Sequence, residues 1–448
     1  MPSQSFQRLL ISRTALLELV LRTALIVSLL LIVFISGDLE ARIPLTIVLV
    51  ILYVVAGRRL DYLDPVVGYL FPWLLILLFS VTKLSRFAIT IHRSTYGLIL
   101  VSIVCAVLAG GRTRQTRIST ERKWLPPKRT RWNARTFFRT IDLFFVVFTI
   151  FNIVYAGYIP LIRGIATGDT GYIDFGIHGV FGFYLAMANA LAIIYLIVYL
   201  RTGNRRYLYR YLGLLFVFVL LVIRQSVISI GVESVIAYSL VRTRVSSKKI
   251  AVGLVLSGIL FSIVGNFRSG SIRQVAGIDE DRVPDPVVWL YSYSYFNIAN
   301  LDNLITRSNA PYRDGSSFNQ LLPSFMRPES NPDDYYSYLL LSNFNVTSYM
   351  FPVYNDIGKA GVWMLTLVAI YLTSKRYTRI YRPSSISQVG TYCTLYFCAS
   401  FSFFVNYWFF LPVIFQSFFF YSFGNSAESL CRIEQERSQR TTVRGTLP

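Results

Sequence analysis

Cysteine and histidine are scarce in this chain, which has four cysteines and two histidines among 448 residues. Three cysteines lie within apolar runs and Cys431 lies in the C-terminal segment, so we expect no disulfide that crosslinks an external loop. His92 and His178 do not provide the ligand spacing of a zinc site, and the sequence has no P-loop glycine motif. We therefore predict neither a metal nor a cofactor, and we do not expect ATP-driven transport.

Acidic residues are also few, because 23 Asp and Glu stand against 44 Lys and Arg, which gives a net charge of +21. In a soluble protein this excess would suggest a nucleic-acid partner. However, 54% of the residues are hydrophobic, and the mean hydropathy of +0.50 is too high for an ordinary soluble fold. We therefore attribute the basic residues to membrane topology and expect no nucleic acid as a partner.

Apolar runs long enough to cross a bilayer recur along the chain. They predict an all-α integral membrane protein with about twelve transmembrane helices. The predicted spans are residues 16–36, 43–57, 65–81, 94–110, 141–158, 179–200, 207–223, 226–240, 250–265, 361–374, 387–404 and 409–424. The pairs 207–240 and 387–424 could instead each form a broken or re-entrant element.

The basic residues predict which loops share one face of the membrane. Residues 112–139 carry ten Lys or Arg against one acid, Glu121. Smaller basic clusters lie at 201–210, 242–249 and 375–382, and all four clusters fall between alternate pairs of predicted helices. The positive-inside rule therefore places these loops and both termini in the cytoplasm.

One long polar segment follows the ninth predicted helix and falls on the external side. The predicted organisation is nine helices in residues 1–265 with a cytoplasmic basic loop at 111–140, a large, partly helical periplasmic loop at 266–360, three helices in 361–424 and a cytoplasmic tail at 425–448. Because the other external loops are short, we expect recognition or chemistry in the long loop.

Charged residues beside the predicted helices are the first candidates for a site. Arg224 and Glu233 flank the connection between predicted helices seven and eight. They could form an ion pair, with each other or with neighbours, or Arg224 could bind an anion in an external cavity. Arg163 and His178 lie in the glycine-containing external loop 159–179, which can fold back to line a cavity.

Two patterns at the start of the long loop indicate lipid or sugar contact. Arg268 and Arg273 lie beside small residues just outside a predicted helix, which suits either a phosphate or pyrophosphate group or anchoring to lipid headgroups. The aromatic run from Trp289 to Phe296 predicts an interfacial helix. Most of its rings would lie at headgroup depth, and one or two could contact a sugar.

The end of the long loop contains a candidate acid. Asp356 precedes Gly358 and Gly361, so it could either cap the tenth helix or act as a catalytic carboxylate near the membrane surface. Arg313 and Arg327 lie in the Pro-, Asn- and Asp-rich region before it.

Several of these residues carry a family resemblance. The stretch Asn345-Val-Thr, followed by Tyr354-Asn-Asp-Ile-Gly358 and Gly361, resembles the Asn-Val-Tyr-Thr…Tyr-x-Asp-Phe-Gly-x-x-Gly stretch of the Wzy-type oligosaccharide repeat-unit polymerases of O-antigen and capsule assembly. The overall plan of the chain is also similar to that of this family. Two short stretches add to the resemblance, Leu301-Asp-Asn-Leu304 and Phe267-Arg-Ser-Gly270. The chain departs from the pattern where it lacks the aromatic residue after Val346 and where it has Ile357.

The resemblance implies a GT-C-like glycosyltransferase of the bacterial inner membrane. It would join undecaprenyl-pyrophosphate-linked oligosaccharide units at the periplasmic face by transferring the growing glycan to a new unit. Membrane lipid, a chain-length regulator and a flippase are the candidate partners. The alternatives are a flippase or transporter of polyprenyl-linked oligosaccharide and an O-antigen ligase.

The same resemblance implies roles for individual residues. Arg224, Arg268 and Arg273 would bind the pyrophosphates, because guanidinium groups stabilise developing negative charge. Asp356, Asp302 or His178 would take the proton of the acceptor hydroxyl. Further substrate contacts would come from Arg163, Arg313, Arg327, Tyr354 and Trp289.

Overall fold

The computed structural model describes residues 20–33, 42–56, 61–110, 124–126, 133–172, 174–242, 272–278, 283–307, 315–328, 337–380 and 384–445. The α-helices in these ranges are α1 Val20–Val33, α2 Ile43–Ala56, α3 Pro65–Thr82, α4 Arg93–Ala109, α5 Ala134–Ala156, α6 Pro160–Thr167, α7 Phe181–Thr202, α8 Arg205–Leu220, α9 Arg224–Val241, α10 Ile272–Ala276, α11 Asp285–Arg307, α12 Ser316–Asn319, α13 Met350–Ile380, α14 Ile386–Ser400 and α15 Leu411–Gly445. Short 3₁₀ turns lie at Ser324–Met326 and Tyr407–Phe409.

Within the described ranges, four stretches are long and apolar enough to cross a membrane: Pro65–Thr82, Ala134–Thr167, Phe181–Thr202 and Met350–Ile380. Shorter apolar helices occupy Val20–Val33, Ile43–Val54 and Arg93–Ala109. These helices support the prediction of a helical membrane protein. Every predicted span overlaps a helix except 250–265, which lies outside the described residues, and the total of twelve spans stays a prediction.

Helix α5 has the surface expected of a lipid-facing helix. Leu143, Val147, Ile150 and Val154 are between 56% and 71% exposed. Soluble proteins rarely leave a continuous apolar face of this kind in water, whereas acyl chains cover it without cost.

Local sequence explains where several helices begin and end. The Asp64 side chain accepts a hydrogen bond from the backbone N–H of Val66 at the start of α3. Ser385 and Gln388 form a capping box at the start of α14. Gly157 ends α5 in the left-handed conformation, which glycine adopts without a steric penalty.

Loops assigned to the cytoplasm meet at one end of the helix bundle. Trp124 and Ser384 form an isolated parallel β-bridge between their backbones, and Arg201 forms an ion pair with Glu428. Tyr377 also donates a hydrogen bond to Asp61. We call this the basic end, formed by residues 61–64, 124–126, 201–204, 384–385 and the part of α15 after residue 424.

Loops assigned to the exterior meet at the opposite end, which we call the loop end: residues 83–92, 157–172, 174–180, 221–223, 277–278, 283–284, 315–328, 337–349 and 401–410. The backbone N–H of Arg86 donates to the carbonyl of Gly277 at 2.9 Å, and that of Leu411 donates to Gln320 at 3.1 Å. The loops therefore separate into the two groups that the charge pattern predicts. Which end faces the cytoplasm stays a prediction.

The aromatic run of the long loop forms helix α11, and the structure corrects its expected position. Trp289 is 2% exposed and Tyr291 and Tyr295 are fully buried, so these rings lie in the protein core rather than among lipid headgroups. The Tyr295 hydroxyl reaches the backbone of Ile89, and the backbone N–H of Ser85 donates to the Tyr291 hydroxyl. Buried tyrosines need such partners, and the backbone of the loop between α3 and α4 supplies them.

The segment after Gly424, expected to be a tail, continues α15 and packs against the bundle. Glu428, Leu430 and Cys431 are buried, and Glu434 accepts a hydrogen bond from the Asn204 side chain at 3.0 Å. An apolar stripe and buried carboxylates at helical spacing account for this packing.

All four cysteines are buried thiols outside any disulfide, so we expect the native protein to react with almost no maleimide and the unfolded protein to react at four sites. Burial raises the pKa of Cys431 to about 12, which leaves little reactive thiolate at neutral pH. Intact mass spectrometry before and after denaturation measures this directly. Fast labelling of the native protein at more than one site would contradict the packing of these four residues.

Candidate functional site

Asp356 lies in the second turn of α13, at the loop end, and its carboxylate caps the neighbouring helix α12. Its carboxylate accepts a hydrogen bond of 2.8 Å from the backbone N–H of Ser317, in the first turn of α12. The residue is 6% exposed. The structure places Asp356 inside α13, which begins at Met350, rather than at the first residue of the tenth predicted helix.

A break in α13 sets the direction of the turns that carry Asp356. Gly358 has φ 77° and ψ −165° inside the helix, a conformation that is essentially restricted to glycine. A β-carbon at Gly361 would overlap the Ile357 side chain. Both glycines are therefore required to hold Met350–Ile357 at an angle to the rest of α13.

Residues 315–328, which we call the hub segment, connect the separate parts of the loop end. Ser317 contacts Asp356, and the Phe318 ring lies 4.7 Å from the Phe409 ring. A β-carbon at Gly179 would overlap the Phe325 ring, so the loop of the exposed His178 touches the same segment. The hub segment thus brings the neighbourhoods of Asp356 and His178 together.

Arg327 lies near the end of the hub segment, and its side chain is exposed. Its Nε donates a hydrogen bond of 2.9 Å to the Leu322 carbonyl. Partial desolvation lowers the pKa of Arg327 from its usual value. This placement leaves the rest of the guanidinium facing the surface beside the hub segment.

Arg163 is engaged within its own loop. Its guanidinium pairs with Asp169 at 2.7 Å and lies 4.6 Å from the centre of the Tyr158 ring. The Asp169 carboxylate also accepts from the backbone N–H of Gly171, which lowers its pKa. Arg163 therefore stabilises the fold of this loop, and any anion would compete with Asp169 for it.

Arg224 is the first residue of α9 and follows a turn in which Val222 has a positive φ of 54°. The predicted ion pair with Glu233 does not form. Nine residues of helix separate the two by about 13 Å along the axis, and neither Glu233 carboxyl oxygen has a hydrogen-bond partner in the described part of the chain. Arg224 remains a half-buried cation at the loop end.

Asp302 has partners of its own, different from those of Asp356. Its Oδ1 accepts hydrogen bonds from the backbone N–H of His92 at 2.8 Å and from the Thr95 hydroxyl at 2.6 Å. Burial raises the pKa of Asp302. These bonds fix the start of α4, so the geometry supports a structural role for this residue.

The remaining predicted residues are mostly engaged in packing. Arg273 bonds to Asp285 at 2.9 Å and to the Val283 carbonyl, and so closes the turn before α11. Trp289 stacks on Tyr293 at 5.5 Å, and Tyr354 is buried in α13. Arg268 and Arg313 lie outside the described residues.

The hub segment is the part of the site that the sequence does not reveal. The contact between Ser317 and Asp356 joins residues 39 positions apart, and no local pattern marks such a pair. Among the described residues, no group of three His, Cys, Asp or Glu is arranged to hold a metal.

Comparison with protein-family models, with curated proteins and with solved structures finds no match for this chain.

Replacing Gly358 by alanine is expected to destabilise the angled start of α13 by about 1–3 kcal/mol, because alanine does not adopt this backbone conformation without strain. The matched control is Gly213→Ala, since Gly213 lies in α8 with nothing near its Cβ position. Unfolding midpoints in detergent compare the two variants. An equal midpoint for Gly358→Ala and the native protein would exclude the strained conformation.

Proposed function

We propose that this protein is a polyprenyl-pyrophosphate-dependent oligosaccharide polymerase with about twelve membrane helices, acting at the loop end on the periplasmic face of the bacterial inner membrane. The observation that carries the proposal is the convergence of Asp356, the hub segment and the His178 loop at one end of an apolar helical bundle. Undecaprenyl-pyrophosphate-linked oligosaccharide is the proposed substrate, and a chain-length regulator and a flippase are the proposed partners.

The proposed reaction needs one base and several cations. A hydroxyl oxygen of the new repeat unit attacks the anomeric carbon of the growing chain, and the bond from that carbon to the pyrophosphate oxygen breaks. Asp356 accepts the hydroxyl proton, and the pyrophosphate leaves as an anion. Arg224 and Arg327 both lie at the loop end, and their positive charges favour this anion.

The resemblance of Asn345-Val-Thr and of Tyr354–Gly361 to the polymerase pattern supports the same assignment. Of the proposed bases, Asp356 fits best because its carboxylate lies beside the hub segment, which also contacts the loop of His178. His178 remains as a proposed second group, since its loop contacts Phe325.

Purified full-length protein in proteoliposomes tests the proposal when it is given lipid-linked repeat units. Growth of a ladder of longer lipid-linked glycans supports a polymerase. Transbilayer movement without growth would indicate a transporter, and transfer to lipid A would indicate a ligase.

The transporter is the second candidate because the bundle core contains buried polar side chains. Glu233, Gln416 and Asn189 each have a buried polar atom with no hydrogen-bond partner among the described residues. Polar groups inside a membrane bundle often mark a path or a site. Assays of chain growth and of lipid movement on one preparation separate the two functions.

A further inference from the structure

A buried polar cluster lies where α9, α14 and α15 pack together, apart from the hub segment. It consists of Glu233 on α9, Thr394 on α14 and Gln416 on α15, and we call it the core polar cluster. Each of the three residues is 0% exposed. An ionised carboxyl group buried this deeply destabilises the folded protein unless another group or ion compensates its charge.

The three side chains contact one another in sequence. The Thr394 hydroxyl donates to the Gln416 side-chain oxygen at 3.2 Å, and Thr394 is also the polar neighbour of Glu233. The Glu233 oxygens and the Gln416 Nε2 have no hydrogen-bond partner within the described ranges by distance and angle. Polar atoms this deep are normally satisfied, so these atoms require an explanation.

Nothing basic among the described residues compensates the Glu233 charge. No ion pair includes it there, and its titratable neighbour is the Cys398 thiol on α14. The cluster therefore carries one uncompensated negative charge whenever Glu233 is ionised. Either a proton or a small metal cation restores neutrality.

We propose that the core polar cluster binds one exchangeable monovalent cation, H⁺ or Na⁺. The carboxylate, the Thr394 hydroxyl and the Gln416 carbonyl oxygen are hard oxygen ligands of the type that such cations prefer. Cation exchange would make the packing of α14 against α9 and α15 dependent on pH or on Na⁺. This site needs no lipid-linked glycan and is independent of the proposed polymerase activity.

Modification by dicyclohexylcarbodiimide tests the site on the full-length protein in detergent, without glycan substrate. The reagent adds to a protonated carboxyl group and leaves an acylurea, which peptide mass spectrometry locates at Glu233. Because only the protonated form reacts, labelling is expected to fall about tenfold for each pH unit above the pKa of the site. Glu233→Gln gives the background, and the exposed Glu436 serves as an internal control.

Labelling in two salts at the same ionic strength distinguishes a Na⁺ site from a proton site. Slower labelling of Glu233 in NaCl than in choline chloride means that Na⁺ competes with the proton, and Thr394→Val should then weaken this protection. Equal labelling in both salts, with the pH dependence present, identifies a proton site. Absence of labelling at every pH, or labelling that responds to neither pH nor Na⁺, would overturn the proposal.

Discussion

Replacing Asp356 by asparagine is expected to slow glycan chain growth by about 10²–10⁴-fold, the usual contribution of a general base. Asparagine keeps an oxygen that can accept from the Ser317 N–H, so the turn should stay folded while the proton acceptor is lost. The measurement is the initial rate of ladder formation in proteoliposomes, with unfolding midpoints as the test of folding.

Two further variants serve as controls for the Asp356→Asn variant. Glu436→Gln removes an exposed carboxylate at the basic end and should leave chain growth unchanged. Asp302→Asn is expected to lower stability through the start of α4, since a buried acceptor is weakened, by about 1–3 kcal/mol. If Asp356→Asn keeps the native rate while Asp302→Asn loses it, Asp302 is the base and the role of Asp356 is structural.

Replacing Arg201 by methionine is expected to lower the free energy of unfolding by about 3–5 kcal/mol, because it leaves the buried Glu428 carboxylate unpaired. The two side chains are 9% and 2% exposed. Arg201 also lies 4.0 Å from the centre of the Trp124 ring, and Glu428 accepts from the Ile386 N–H at 2.7 Å. The pair therefore joins α7, α14 and α15 at the basic end.

The stability lost in Arg201→Met should depend on pH in one direction. Burial raises the pKa of Glu428 and Arg201 lowers it, so removal of Arg201 leaves a pKa further above the unfolded value. A carboxyl group with a raised pKa favours the folded state when it is protonated. The loss of stability should therefore shrink as the pH falls into the acidic range.

Matched variants separate this effect from general disruption. The exposed pair Arg432–Glu436 has 68% and 50% side-chain exposure, and Glu436→Gln should cost no more than about 0.5 kcal/mol. The double variant Arg201→Met with Glu428→Met should recover much of the stability, since no unpaired charge remains. An unfolding midpoint of Arg201→Met equal to that of Glu436→Gln would show that the buried pair contributes little.

Apolar periodicity was sufficient to locate the helices, because the length of an apolar run and the bilayer constrain each other. The predicted spans 65–81 and 179–200 match α3 and α7 within a few residues. Arg201 and Trp124, from two of the loops that the charge pattern places on one face, lie in contact in the structure.

Polar segments that become buried by packing could not be recognised in the same way. Helix α11 has tyrosines that alternate with serines, a pattern also typical of an interface, and the backbone partner of the Tyr295 hydroxyl lies 206 residues away. The packed part of α15 after Gly424 is rich in charge, and only its contacts with Arg201 and Asn204 reveal that it is not a free tail. Long-range contacts of this kind leave no trace in local composition.

For the candidate site, sequence identified Asp356 and Gly358 but not their neighbours. The spacing of Asp356 before two glycines predicted a helix start, whereas the helix begins earlier and breaks at Gly358. The ion pair between Arg224 and Glu233, one of the possibilities that the sequence left open, does not form, because both residues lie on α9. Their separation along one helix excludes it.

The central claim is that the hub segment and Asp356 face the exterior while the basic end faces the cytoplasm. Single cysteines at Asn343→Cys and Glu436→Cys test this with a membrane-impermeant maleimide on intact spheroplasts, since the native cysteines are buried. The claim predicts labelling of Asn343→Cys in intact cells and of Glu436→Cys only after permeabilisation. The reverse pattern would place the loop end in the cytosol and contradict a periplasmic sugar-joining enzyme.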